Sequence, residues 1–199
     1  MTDVLSIWNQ AISFCGVSDE VQSETENTAN ANACRRFYEQ DRDEMLEDYA
    51  WTFAKVTLTL ALVSNDPTTE WLYAYAYPSN CLQIRRILSD VRNETRQSRV
   101  PYLLGQLNDV QLIYTDRASA VAEYTKRVTD PSEFSPSFAK ALAYKLAVDI
   151  APRLTGGDPN NLTAKLEARY LRQLAIARNS DSNAEQPEEE PDSEFIRAR

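Results

Sequence analysis

The chain has 199 residues, enough for one cored domain or one with a small subdomain inserted. It is 43% apolar and 26% charged, with a formal net charge of -9 and no histidine. The missing histidine excludes histidine-dependent triads and histidine-ligated zinc, and the acidic balance argues against a nucleic-acid binder, whose affinity comes from cations set against phosphate.

Cys15, Cys34 and Cys81 are too few and too widely spaced for a disulfide framework or a metal knuckle, and are expected to be buried free thiols. No apolar run approaches the roughly 20 residues that cross a bilayer, and no basic segment precedes an apolar one at the N-terminus. The chain is therefore expected to stay in solution, with no membrane partner. No phosphate loop or paired nucleophile and base stands out, and no cofactor is expected.

Thr2 or Asp3 can cap a first helix in which Val4, Ile7, Trp8, Ala11 and Ile12 recur at helical spacing, with Gly16 as its stop. A second helix is predicted over about 23–49, because Ala33, Phe37, Asp41, Met45 and Tyr49 recur at i+4. Arg35, Arg36, Glu39, Arg42, Asp43 and Glu47 would form its solvated, mutually paired face.

The character changes from Lys55 to Arg127. Residues 56–63 are rich in Val, Thr and Leu and read as an extended segment or a helix end; Asn65-Asp66-Pro67 marks a turn. Tyr73, Tyr75 and Tyr77 alternate with alanines, which puts the three rings on one face of a strand. Cys81–Leu88, Val100–Leu104, Val110–Tyr114 and Ala120–Tyr124 follow, separated by Gly105, Asn108-Asp109 and Thr115-Asp116-Arg117. These spacings predict a small antiparallel sheet of three to five strands.

Helical character returns after Asp130-Pro131. Ser135-Pro136 is a good cap and first-turn pair, Phe138, Leu142, Leu146, Ile150 and Leu154 make an i+4 stripe, and Pro152 should bend or end that helix before Gly156-Gly157. Asp158-Pro159 opens a last helix that buries Leu162, Leu166, Tyr170, Leu174 and Ala177. From Asp181 to Arg199 seven acidic residues face two arginines, a composition too polar to build its own core. Its apolar pair, Phe195-Ile196, is a candidate anchor on a neighbouring subunit.

The expected architecture is mainly α: a four-helix bundle-like domain from 1–54 and 130–180, an inserted small antiparallel β-rich subdomain at 55–129, and a disordered acidic tail at 181–199.

One ordered set of motifs runs along most of the chain: Trp8 with Ala11 and Ile12, Ala33-Cys34-Arg35-Arg36-Phe37-Tyr38 running on to Leu46, and Trp51-Thr52-Phe53-Ala54. Further on come Trp71-Leu72-Tyr73-Ala74-Tyr75-Ala76-Tyr77-Pro78-Ser79-Asn80-Cys81-Leu82, then Asp130-Pro131-Ser132-Glu133-Phe134, Phe138–Ala147 and Leu154-Thr155-Gly156. In this order of motifs the chain resembles the tail tubular protein A family, the head-to-tail adaptors (connectors) of short-tailed bacteriophages. The resemblance covers about residues 3 to 180, and departs from the family at Asn80, where the pattern usually carries Asp. It implies a virion protein, made in the host cytoplasm, that forms a homo-oligomeric ring of about twelve copies by repeated heterologous contacts. That ring would bind the portal protein on one side and the distal tail tube or nozzle protein on the other, and surround a channel through which DNA passes without specific binding.

On this reading the functional residues pack and position. Trp51, Phe53, Trp71, Tyr73, Tyr75 and Tyr77 are candidates for core or interface, because aromatic rings supply large, rigid contact area. Two alternatives of other classes stand beside it. Asp41, Asp43, Glu44 and Glu47 could serve a carboxylate-dependent hydrolase, which would need carboxyls in an apolar cleft with their pKa values pushed apart. A nucleic-acid-binding module would need a local basic patch, for which Arg85, Arg86, Arg92, Arg96 and Arg99 are the candidates.

Overall fold

The computed structural model describes residues 2–65, 70–91 and 98–184. Four α-helices, α1 (Val4–Phe14), α2 (Ala29–Asp48), α3 (Pro136–Leu154) and α4 (Leu162–Ser182), flank seven strands. The strands are β1 (Lys55–Thr59), β2 (Leu62–Asn65), β3 (Tyr73–Ala76), β4 (Cys81–Ile87), β5 (Leu103–Leu107), β6 (Val110–Thr115) and β7 (Val121–Lys126). They form a three-stranded sheet in the order β1-β7-β4 and a four-stranded sheet in the order β2-β3-β6-β5, both antiparallel. This is an α+β fold, and the mainly α expectation is corrected: the insert is a two-layer unit with its own core, not a small appendage of three to five strands.

Two features of the sequence hid the extra strands. The apolar run over 56–63 serves both sheets: β1 ends at Thr59, buried Leu60 crosses the core between the layers, and β2 begins at Leu62 in the other sheet. Gly105, read as a break, lies inside β5 opposite Leu112. A Cβ at that position would sit 2.5 Å from Cε2 of Tyr114, so glycine lets the tyrosine ring lie across the strand. The true hairpin turn is Asn108-Asp109, with φ of 50° and 63°, the left-handed pair that two-residue β-turns require.

In the helical part, α3 is the central element. Phe138, Leu142, Leu146 and Ile150 form the expected stripe, but Ala139, Ala141, Ala143, Ala147 and Ala151 are buried as well. These small side chains let α1, α2 and α4 each approach α3, and those three helices pack mainly on α3 rather than on one another. Pro152 is accommodated in the last turn of α3, and Gly157 N–H reaches back to the Pro152 carbonyl at 2.9 Å.

The starts of α1, α2 and α3 follow local capping chemistry, whereas α4 begins at Leu162 after a separate 3-10 turn, Pro159–Asn161, and not at Asp158-Pro159 as the sequence predicts. Asp3 and Ser6 form a reciprocal capping box on α1. Helix α2 starts later than predicted because Thr28 caps it by accepting from Ala31 N–H, while residues 24–27 form a loop whose carbonyls bind Arg35. At the far end α4 extends to Ser182, where the Asp181 carboxylate accepts from Thr52 N–H and Oγ1–H, and Tyr49 bonds Ser182 at 2.7 Å. The proposed tail anchor, Phe195 and Ile196, lies outside the described residues.

Arg85 ties the two parts together. From β4 its Nη2 donates to the carbonyls of Glu47 and Tyr49, both at 2.8 Å, while Nε donates to Thr125 on β7. A cation on the free carbonyls at the C-terminus of α2 satisfies both their hydrogen bonding and the helix dipole. Arg127 adds an ion pair to Asp43 at 2.9 Å.

Candidate assembly surface

The first aromatic cluster is core. Trp51 has no exposed surface; its Nε1–H donates to the Met45 carbonyl at 2.7 Å, and its ring meets Tyr49 and Phe138 edge-on, each at 4.9 Å between centroids. Phe53 is half-buried against Phe138 and Phe134. The short 3-10 turn Thr52–Ala54 positions both rings at the joint between α2 and β1.

The second cluster divides. Tyr75 is buried, donating its hydroxyl hydrogen to the Arg117 carbonyl at 2.7 Å and accepting from Ala120 N–H. Tyr73 and Tyr77 are half-buried and pack on the same inter-sheet core, so the three tyrosines share the inward face that alternation predicts. The Tyr77 hydroxyl is held above its usual pKa range by burial and by its hydrogen bond to Cys81. Trp71 is half-buried two residues ahead of β3.

Exposed large apolar side chains gather elsewhere. Among the described residues, all of them except Leu171 and Ile176 on α4 belong to the inserted unit. They concentrate at both edges of the four-stranded sheet: Leu62 and Val63 on β2, then Leu103, Leu104 and Leu107 on β5 with Val110 beside them, each between 48% and 55% exposed. Strand β5 shows leucine on both of its faces, and the turn ahead of β3 adds Leu72. A shallow cavity of about 300 Å³, lined by Tyr77, Leu104, Gly105, Gln106, Gln111 and Leu112, runs along the hairpin. Such an edge is unusual on a protein that works alone. The predicted aromatic residues thus form the scaffold, and the aliphatic edges they support form the free surface. The signal in sequence was Leu103-Leu104-Gly105-Gln106-Leu107, an uncharged run with leucine at both parities.

The charged face of α2 is only partly solvated. Asp41 and Arg42 are buried, a correction to the expected exposed role of Arg42, whose Nη2 lies 2.8 Å from Asp43 while its guanidinium sits over the Tyr38 ring. Arg35 is exposed but engaged with loop carbonyls, and Arg36 lies exposed over Phe37. Burial, then the neighbouring Asp149 carboxylate, pushes the Asp41 carboxyl up to about 8, although Lys145 stands 3.8 Å away. Lys145 also pairs with Glu44 at 2.8 Å. Three of the four carboxylates named for hydrolysis are therefore engaged, Asp43 by Arg42 and Arg127, Glu44 by Lys145, and Asp41 sealed between α2 and α3, while Glu47 stands exposed on α2.

Of the candidate basic patch, two arginines are engaged within the fold. Arg85 is committed to α2, and Arg86 pairs with Glu123 at 3.0 Å. Arg99 is exposed, while Arg92 and Arg96 lie outside the described residues. Cys15 and Cys34 are buried thiols whose pKa values burial raises to about 11 and about 12, and Cys81 is half-buried. Among the described residues, no helix is long and apolar enough to cross a membrane. No protein-family model and no curated protein matches the chain.

Proposed function

We propose that the chain is a structural virion protein: an adaptor that assembles as a ring of about twelve copies between the portal and the distal tail tube or nozzle protein of a short-tailed phage, around a channel for DNA. The observation that carries the assembly role is the apolar rim of the inserted unit, with both edges of the four-stranded sheet presenting half-exposed leucines. A ring repeats one heterologous contact, which needs two different surfaces on each copy, and opposite edges of one sheet supply such a pair. The head-to-tail location rests on the sequence resemblance over about residues 3 to 180.

Non-enzymatic action is part of the proposal. A hydrolytic carboxyl must reach its substrate, and Asp41, whose pKa is raised as an acid's would be, is 3% exposed behind Lys145. The acidic chain suits a conduit to which DNA does not adhere.

Cosedimentation with purified portal rings of the same phage, and separately with its distal tail component, tests the adaptor role. Binding to assembled portal at moderate salt is expected. Failure to bind portal rings contradicts the role, whereas a monomeric free subunit does not, since one contact gains little until neighbours or a template hold the geometry.

A further inference from the structure

One cross-strand row of the four-stranded sheet reads Leu62 on β2, Tyr75 on β3, Ile113 on β6 and Leu104 on β5. Its middle is sealed by the facing sheet, with Tyr75 at 1% and Ile113 at 0% exposure, while the leucines at its two ends are each 50% exposed. An apolar row that runs across a whole sheet and stays open at both edges is one that can continue into another sheet.

Strand direction allows that continuation. Every neighbouring pair in the four-stranded sheet is antiparallel, so β2 and β5 at its opposite edges run in opposite directions. When β5 of one copy lies beside β2 of the next, the pair is again antiparallel, and neither copy has to be turned over. Such a contact is heterologous and repeats from copy to copy, as a ring requires. The charge pattern selects the occupant: neither Leu62-Val63-Ser64-Asn65 nor Leu103-Leu104-Gly105-Gln106-Leu107 holds an ionisable residue, in a chain of net charge -9. These edges are where two copies of an acidic protein can approach with least repulsion. They also carry none of the lysines or prolines that usually keep a strand edge from pairing.

We infer that copies of this chain join through the four-stranded sheet, β5 of one against β2 of the next, so that Leu104 meets the Leu62 of its neighbour and the row continues from subunit to subunit. This inference rests on the ring reading above and names its subunit contact. A four- or five-residue edge falls short of the roughly 1,200 Å² of a self-sufficient interface, so the contact becomes strong only when the ring closes or a portal templates it.

Two single-cysteine additions test it, Leu62→Cys and Leu104→Cys, since facing residues of paired strands lie within disulfide reach. Both are mixed on portal rings under mild oxidation, with the unsubstituted protein and Leu171→Cys on α4 as controls. The expected result is a disulfide-linked dimer from the Leu62→Cys and Leu104→Cys mixture, and none from either variant alone or from a control. A dimer from Leu104→Cys alone would mean two-fold β5 pairing and overturn the inference. Rings formed by the unsubstituted protein without any 62–104 crosslink would also overturn it and leave the ring reading intact. Absence of both rings and crosslinks would remove the two together. In parallel, Leu104→Lys is expected to abolish ring formation with an unchanged thermal midpoint; a Leu104→Lys protein that assembles like the parent counts against the edge contact.

Discussion

Trp51 and Leu104 are both large apolar residues, but one has no exposed surface and the other is half exposed. Truncating Trp51 to alanine opens a cavity against Tyr49 and Phe138 and removes the hydrogen bond to the Met45 carbonyl, so a loss of about 3–5 kcal/mol is expected in urea unfolding. Leu104→Ser should change stability by under about 1 kcal/mol. Asp41 permits a pH prediction. The groups facing it are Lys145 and Asp149 from α3 and Glu44 from its own helix, with Tyr170 of α4 beyond Lys145. Its folded pKa stands above its ordinary 3.8, at about 8, so the folded state holds the proton more tightly than the unfolded one. The stability this provides is fully present below 3.8 and is lost as pH rises to about 8. Asp41→Asn removes the titration. Unfolding curves from pH 4 to 8 should show the variant gaining on the parent as pH rises, and a constant difference would contradict the assignment.

At the scale of elements, the helices were legible because their signals are local. Asp3, one of the two cap candidates for α1, and Ser135 cap their helices, and Ile7, Trp8, Ala11 and Ile12 are buried as their spacing dictates. The sheets were harder because strand partners are remote: nothing around Leu60 says that the chain changes layers there, and nothing near Gly105 shows the Tyr114 ring above it. The aromatic residues were conspicuous in sequence but sit mostly inside, whereas exposure of β5 depends on its lying at the edge of a sheet, which pairing alone determines. The tail belongs at this scale too. A deletion after Asn179 would remove Asp181 and Ser182, which bond Thr52 and Tyr49, so the informative truncation lies after Ala184. Removing 185–199 is expected to leave the circular dichroism spectrum of the helices unchanged and to weaken portal binding, since Phe195 and Ile196 could contribute about 3–5 kcal/mol on burial. Equal portal binding by both forms would contradict the anchor.

For the whole molecule, the net charge of -9 and the engagement of Arg85 and Arg86 within the fold argue against adhesion to DNA, as the proposed conduit requires. No retardation of duplex DNA is expected in a mobility shift at physiological salt; micromolar binding with a steep salt slope would contradict a passive conduit. Two cores, one around α3 and one between the sheets, are fastened by Arg85 and by the Arg127–Asp43 ion pair, which gives the inserted unit a platform from which to present its edges. The central claim, that these edges serve a ring at the head-to-tail junction, is tested most directly by electron-microscopic imaging of the chain bound to purified portal. A closed ring of about twelve subunits on one face of the portal is predicted. Scattered single copies, or bare portals at saturating protein, would contradict it.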